Sequence, residues 1–200
     1  NNAFTNNSGC QIGDDIDGFS NDDARSGWTV EMNNAGDIVV IGSPREDSNL
    51  PYIGYGCDRR GSVRVYKKIS GQWIQIGQTI FGQTCEADGF GTSVSINGSG
   101  NIIAIGGIKT DTYNNDGGIV QVFEFNDTNW VQIGQDFYGQ NDEEMGYVKL
   151  NDAGNILLIG RRGTNMEGIY SIYENVSQSW IQMGSDIIGL NNVHNIGVSL

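Results

Sequence analysis

Short apolar runs, each of strand length and each closed by Gly, Asn or Asp, follow one another along most of this chain. Thr92–Asn97 alternates, with Val94 and Ile96 on one side and Ser93 and Ser95 on the other, as a half-buried strand does. The next run, Asn101–Gly107, is continuously apolar at Ile102, Ile103, Ala104 and Ile105, so both its faces should be covered. Ile119–Phe125 and Trp130–Gly134 complete a unit of four, rich in Val, Ile and aromatic residues. The same four runs precede and follow it. The pattern predicts strands at 28–33, 37–43, 61–66 and 72–77, then 92–97, 101–107, 118–125 and 129–134. A third set is predicted at 146–150, 155–160, 168–173 and 179–184. No window carries a sustained helical period with caps. The expected class is all-β.

The units share more than hydropathy. The fourth run reads WIQIGQ from Trp73, WVQIGQ from Trp130 and WIQMGS from Trp180, and CQIGDD from Cys10 is a fourth version of it. The marker glycines Gly13, Gly77, Gly134 and Gly184 are 64, 57 and 50 residues apart, and connections vary in this way where packed strands do not. Between first and second runs stand Asn33-Asn34-Ala35-Gly36-Asp37, Asn97-Gly98-Ser99-Gly100-Asn101 and Asn151-Asp152-Ala153-Gly154-Asn155. Each has glycine fourth, where a short hairpin loop needs a left-handed residue. Four antiparallel strands in units of roughly fifty residues make the blade of a β-propeller. The expected organisation is a single β-propeller region over 1–200, part of a larger propeller. It comprises a blade end at 1–20, blades at 21–80, 81–137 and 138–188, and the start of another at 189–200.

These units resemble the FG-GAP-type propeller repeats of integrin α-subunit heads and of many secreted microbial and algal proteins. Phe90-Gly91 matches the FG element, Gly42-Ser43-Pro44 matches GAP, and Gly106-Gly107 is a degenerate form. The resemblance covers nearly the whole chain and implies an extracellular or cell-surface protein. That family's calcium loop of alternating aspartates lies between the first two strands. This sequence has the Asn/Gly turns there, so that site is not carried over.

Charge adds a face to the picture. With 24 acidic against 11 basic side chains the net charge is −13, which disfavours nucleic acid and anionic membrane surfaces. No apolar run approaches membrane-spanning length. The acids gather in two loop classes that an up-and-down blade places on one side: Asp22, Asp23, Glu143, Glu144 and Asp186 between blades, and Glu46 and Glu167 between second and third strands. That side is expected to be acidic, either as plain solvated surface or as a face for a protein or glycan partner. The parent chain's other blades, or neighbouring chains in an assembly, are the further partners expected. No cofactor is expected other than calcium, for which Asp22, Asp23, Glu143 and Glu144 are the candidate ligands. Trp28, Tyr52, Tyr55, Arg59, Arg60 and Tyr147 flank the same loops and are the candidate contact residues. Of three cysteines, Cys57 and Cys85 lie in loops of neighbouring blades and are the expected disulfide, with Cys10 free. Asn6, Asn97, Asn126 and Asn175 open N-x-S/T sequons, glycosylation candidates in turns of the opposite face.

Catalytic signatures are sparse. His194 is the only histidine, no serine sits in G-x-S-x-G, and the cysteines lack zinc spacing. Trp73, Trp130 and Trp180 recur at the start of each outer strand, which fits edge packing, with sugar stacking as the competing reading. The expected function is therefore a non-enzymatic structural or adhesion propeller. A carbohydrate-binding propeller is the alternative, and a glycoside hydrolase acting through paired carboxylates the third reading.

Overall fold

A computed structural model describes residues 11–18, 24–46, 60–83, 89–108, 117–140, 143–163 and 167–189. The described residues form three antiparallel sheets and contain no helix. In the first blade, β1 (Thr29–Met32), β2 (Ile38–Ser43), β3 (Ser62–Ile69) and β4 (Gln72–Gln75) pair in chain order, and β5 (Ile80–Phe81) returns to β3. The second blade has β6 (Ser93–Ile96), β7 (Ile102–Gly107), β8 (Ile119–Phe125), β9 (Trp130–Gln132) and β10 (Phe137–Tyr138). The third has β11 (Glu144–Leu150), β12 (Ile156–Arg162), β13 (Gly168–Val176), β14 (Ser179–Gln182) and β15 (Ile187–Ile188). Every expected strand is present within a few residues. One feature differs from the expected pattern: the fourth strand of each blade comes in two pieces, both paired with the third strand.

The break falls at the marker glycine. Gly77, Gly134 and Gly184 have φ of +70°, +77° and +75°, a left-handed conformation that lifts the chain out of the ladder. A side-chain amide bridges the gap. Gln75 Nε2 donates to Thr79 Oγ1 at 3.3 Å, Gln132 Nε2 to Asp136 Oδ1 at 2.5 Å, and Gln182 Nε2 to Asp186 Oδ1 at 2.8 Å. The β1–β2 type of turn is built as its residues require. Gly36, Gly100 and Gly154 have φ of +68°, +80° and +75°, and the leading Asn accepts from backbone N–H groups across the turn through Oδ1. Asn97 is thereby buried, its Nδ2 donating to Ser99 and Asn101, so this sequon nitrogen does not face solvent. Asn126 sits in a third-to-fourth-strand turn. Asn175, expected in such a turn, lies near the end of β13 and pairs with Trp180, and Asn6 lies outside the described residues.

The core lies between blades. Val40, Val63 and Val65 of the first blade pack with Val94, Ile96, Ile103, Ile105 and Phe123 of the second. Ala104, Val120 and Val122 of the second pack in turn with Val148, Leu150, Leu157 and Ile159 of the third. β7 is covered on both faces, as its unbroken apolar run requires, and β2 nearly so, whereas Ile156 and Leu158 of β12 are only half-buried. At the outer rim, Trp130 Nε1 donates to Ile76 O at 3.1 Å and Trp180 Nε1 to Ile133 O at 3.3 Å. Gln78 and Gln135 complete these joints, each donating to the backbone carbonyl of the next blade's tryptophan and accepting from its N–H. The recurrent tryptophans therefore hold each blade to the one before it, and Trp130 and Trp180 are buried.

Candidate functional site

Because the second and third strands of the three blades pair in the same register, a position that breaks the pattern stands out. Cross-strand pairing aligns Arg161 with Ser43 and Gly107, and Ser171 with Arg64 and Gln121. Arg161, the last residue but one of β12, carries its guanidinium into a cleft of about 320 Å³ where the second and third blades meet. The second blade contributes Asp136, Phe137, Tyr138 and Gln140 to this cleft. The third contributes Arg161, Glu143, Ser171, Tyr173, Gln182 and Asp186.

Arg161 organises the polar wall. Its Nη2 donates to Asp186 Oδ2 at 2.6 Å and its Nη1 to Ser171 Oγ at 2.9 Å. Its Nε is buried and faces Glu143 Oε2 at 3.5 Å without a hydrogen bond. Ser171 Oγ also donates to Asp186 Oδ1 at 2.6 Å. The Ser171 hydrogen bond, with help from Arg161 and against some desolvation, holds the Asp186 carboxyl below its ordinary value, so it stays ionised. Glu143 is fixed at the mouth by the backbone N–H of Gln140, 3.1 Å from its Oε2. Phe137 and Tyr173, ring centroids 4.7 Å apart and tilted by 58°, supply an apolar surface beside these charges.

The first blade builds a similar trio from different positions and closes it. Arg64 and Ser62 both bond Glu46, and all three are buried. Arg162 pairs with Glu144 at 2.6 Å. The side expected to be acidic is thus partly neutralised, because Arg64, Arg161 and Arg162 stand among its carboxylates.

Of the residues expected to form a contact face, Trp28 is exposed with the Arg25 guanidinium 5.0 Å above its ring, whereas Arg60 is buried. Tyr147 lies on the far face of the third sheet against Gly160, its hydroxyl pKa raised by burial and then by Glu144. These three do not converge. Tyr52, Tyr55, Arg59, Asp22, Asp23, Cys10, Cys57, Cys85 and His194 lie outside the described residues. Glu143 and Glu144 face separate arginines, and among the described residues no group of three His, Cys, Asp or Glu side chains is placed to hold a metal ion. Sequence reasoning passed over Arg161, Ser171 and Gln182. The available signal was GRR at Gly160–Arg162 against GGI at Gly106–Ile108, a charge entering a repeat position that elsewhere holds a small residue.

No protein-family model matches the chain, and no curated protein matches it. The FG-GAP resemblance thus stands on its motifs alone. Solved structures do match. One is a Bacteroides fragilis protein provisionally described as a 6-phosphogluconolactonase, with TM-score 0.54 and 16% identity over 80% of this chain and 38% of that one. A second, from Bacteroides uniformis and described in the same way, has TM-score 0.53 and 14% identity over 80% of this chain and 40% of the other. The chain therefore spans about two fifths of their length, and the likeness is one of fold, a β-propeller. It corrects the functional expectation. These two structures of like fold are described as lactonases, which are enzymes, and this contradicts the reading as a non-enzymatic structural or adhesion propeller.

Proposed function

We propose that these blades are an arc of a larger propeller hydrolase that opens neutral, sugar-derived lactones in the cleft between the second and third blades. One observation carries the reading: Arg161, flanked by Glu143, Asp186 and Ser171, replaces the small residues Ser43 and Gly107 of the other blades. Repeat positions that keep their residues serve packing, and a charged departure lining a cleft is where function is to be sought. The fold likeness to proteins described as lactonases supports the reaction class.

Opening a lactone adds one water across the ring ester. The water oxygen bonds to the carbonyl carbon, the ring C–O bond breaks, one proton passes to a base and the departing ring oxygen takes one up. Glu143, held at the cleft mouth, is the base. Arg161 is the positive charge for the oxyanion that develops on the carbonyl oxygen, and Asp186 and Ser171 position it. Phe137 and Tyr173 receive the apolar C–H face of the ring. Asp136, Glu143 and Asp186 outnumber Arg161 along the wall, so a phosphorylated lactone is repelled where a neutral one is not.

Hydrolysis of glucono-1,5-lactone and of its 6-phosphate, followed by acid release above the spontaneous rate, tests this. The neutral lactone is the expected better substrate, and Glu143→Gln should lower kcat by about 10²–10⁴ with KM little changed. Hydrolysis no faster than the uncatalysed background, or full activity in Glu143→Gln, would sink the proposal.

A further inference from the structure

Each blade has a leading face, turned toward the blade before it, and a trailing face turned toward the one after. At both junctions within the chain the leading face of the first strand is shut away: Val94 and Ile96 are each 6% exposed, Val148 3% and Leu150 4%. The equivalent residues of the first blade, Val30 and Met32, are 55% and 50% exposed. Backbone polarity follows the same pattern. Val148 N donates to Ser93 Oγ at 3.2 Å, Leu150 N to Ser95 Oγ at 3.0 Å and Ile96 N to Glu31 Oε2 at 2.8 Å, each across a junction. Among the described residues no side chain offers such an acceptor to Val30 or Met32.

The outer rim of this position is nevertheless filled. Trp73 Nε1 donates to Ile12 O at 3.1 Å, as Trp130 does to Ile76 and Trp180 to Ile133. Gly13, with φ +76°, lies against the Trp73 ring as Gly77 lies against Trp130. Residues 11–14 thus hold the place of a preceding blade's outer strand.

We infer that the leading face of the first blade, Val30 and Met32 with Trp28 at its edge, is a docking surface for a further blade of this same kind, to which residues 11–14 belong. The internal junctions specify its chemistry. The occupant presents a glycine and small aliphatic residues, as Gly42, Val40 and Val63 or Gly106, Ala104 and Val120 do, and side-chain oxygens opposite the N–H groups of Val30 and Met32. A second copy of this chain does not meet that description. Its third blade carries Tyr170 in the place of Val63 and Val120, with the ring over Gly160, where the next blade's glycine lies against Gly42 and Gly106. Lys149 stands where Glu31 and Ser95 accept, and a lysine only donates; here it pairs with Glu31.

Grafting residues 84–133 directly ahead of residue 13 tests this, since it puts Gly13 in the place of Gly134. Amide exchange at Val30 and Met32 should slow about tenfold or more, and Tm should rise by roughly 5 °C. A folded graft that leaves both amides exchanging as before overturns the proposal. A second measurement needs no graft: in the unmodified chain, monomeric by sedimentation velocity, Val30 and Met32 should exchange about tenfold faster than Val148 and Leu150. Equal protection in that monomer, or concentration-dependent self-association that Val30→Ser abolishes, would also overturn it, the latter in favour of a second copy.

Discussion

Gly134 and Gly184 share one conformation, with φ of +77° and +75°, and differ in their surroundings. A Cβ on Gly134 would lie 2.5 Å from Trp180 Cδ1, whereas one on Gly184 would meet nothing within 4 Å. Alanine at Gly184 therefore carries the left-handed backbone cost alone, about 1–2 kcal/mol. Alanine at Gly134 must also displace a buried tryptophan, a further 1–3 kcal/mol or about that. Urea unfolding of the two variants should show that gap, and equal losses would mean that the glycine serves the turn alone. Asp186 offers a test of a different kind. Its folded pKa is below the ordinary carboxylate value, chiefly through Ser171, so it contributes stability that is present above the unfolded pKa and lost as pH falls through the folded one. Ser171→Ala removes the main cause. The stability difference between wild type and this variant should shrink as pH falls below about 4, and a difference constant down to pH 2 would disprove the linkage. Turn glycines were legible in the sequence because their requirement is local. The Arg161 cluster was not, because it depends on which strand ends meet across a junction.

At the scale of elements the hydrophobic pattern carried most of the fold. Continuity in Asn101–Gly107 marked a strand covered on both faces, but alternation in Thr92–Asn97 misled: Ser95, expected on an open side, is buried and accepts from Leu150 N of the next blade. The pattern did not show the split fourth strand. Q-I-G-Q reads as the end of a strand, and only the pairing of β5, β10 and β15 with the third strands shows that the ladder resumes beyond the glycine. Nor did the pattern reveal what the glutamine after that glycine does. Gln135 Nε2 donates to Trp180 O at 2.7 Å and its Oε1 accepts from Trp180 N at 3.2 Å, so one side-chain amide supplies the two bonds that a neighbouring strand would. Gln135→Ala leaves a partly buried N–H and C=O unpaired, and should cost about 1–3 kcal/mol in chemical denaturation. Gln135→Glu retains an acceptor and loses the donor, so it should fall between. A neutral Gln135→Ala would mean that the tryptophan ring alone holds the blades together.

For the whole molecule the opposing quantities are charge and junction packing. Each apolar cluster is shared by two blades, so a blade has little core of its own, and stability should follow nearest-neighbour interfaces as in other repeat folds. Against this works a net charge of −13, from 24 acidic and 11 basic side chains. Self-repulsion of that size destabilises the compact state. Local ion pairs act the other way, but the most enclosed of them, Arg64–Glu46, is buried, and Arg161–Asp186 is close at 2.6 Å. Salt screens such short, sheltered pairs far less than it screens carboxylates spread over the surface, since the screening length falls from about 10 Å at 0.1 M to about 3 Å at 1 M. Relief of repulsion should win. Raising sodium chloride from 0.05 to 0.5 M, concentrations chosen to bracket roughly that change in range, should lift Tm by a few degrees. A Tm that falls over the same range would show that the exposed pairs, such as Arg162–Glu144 and Lys149–Glu31, outweigh the acidic surplus.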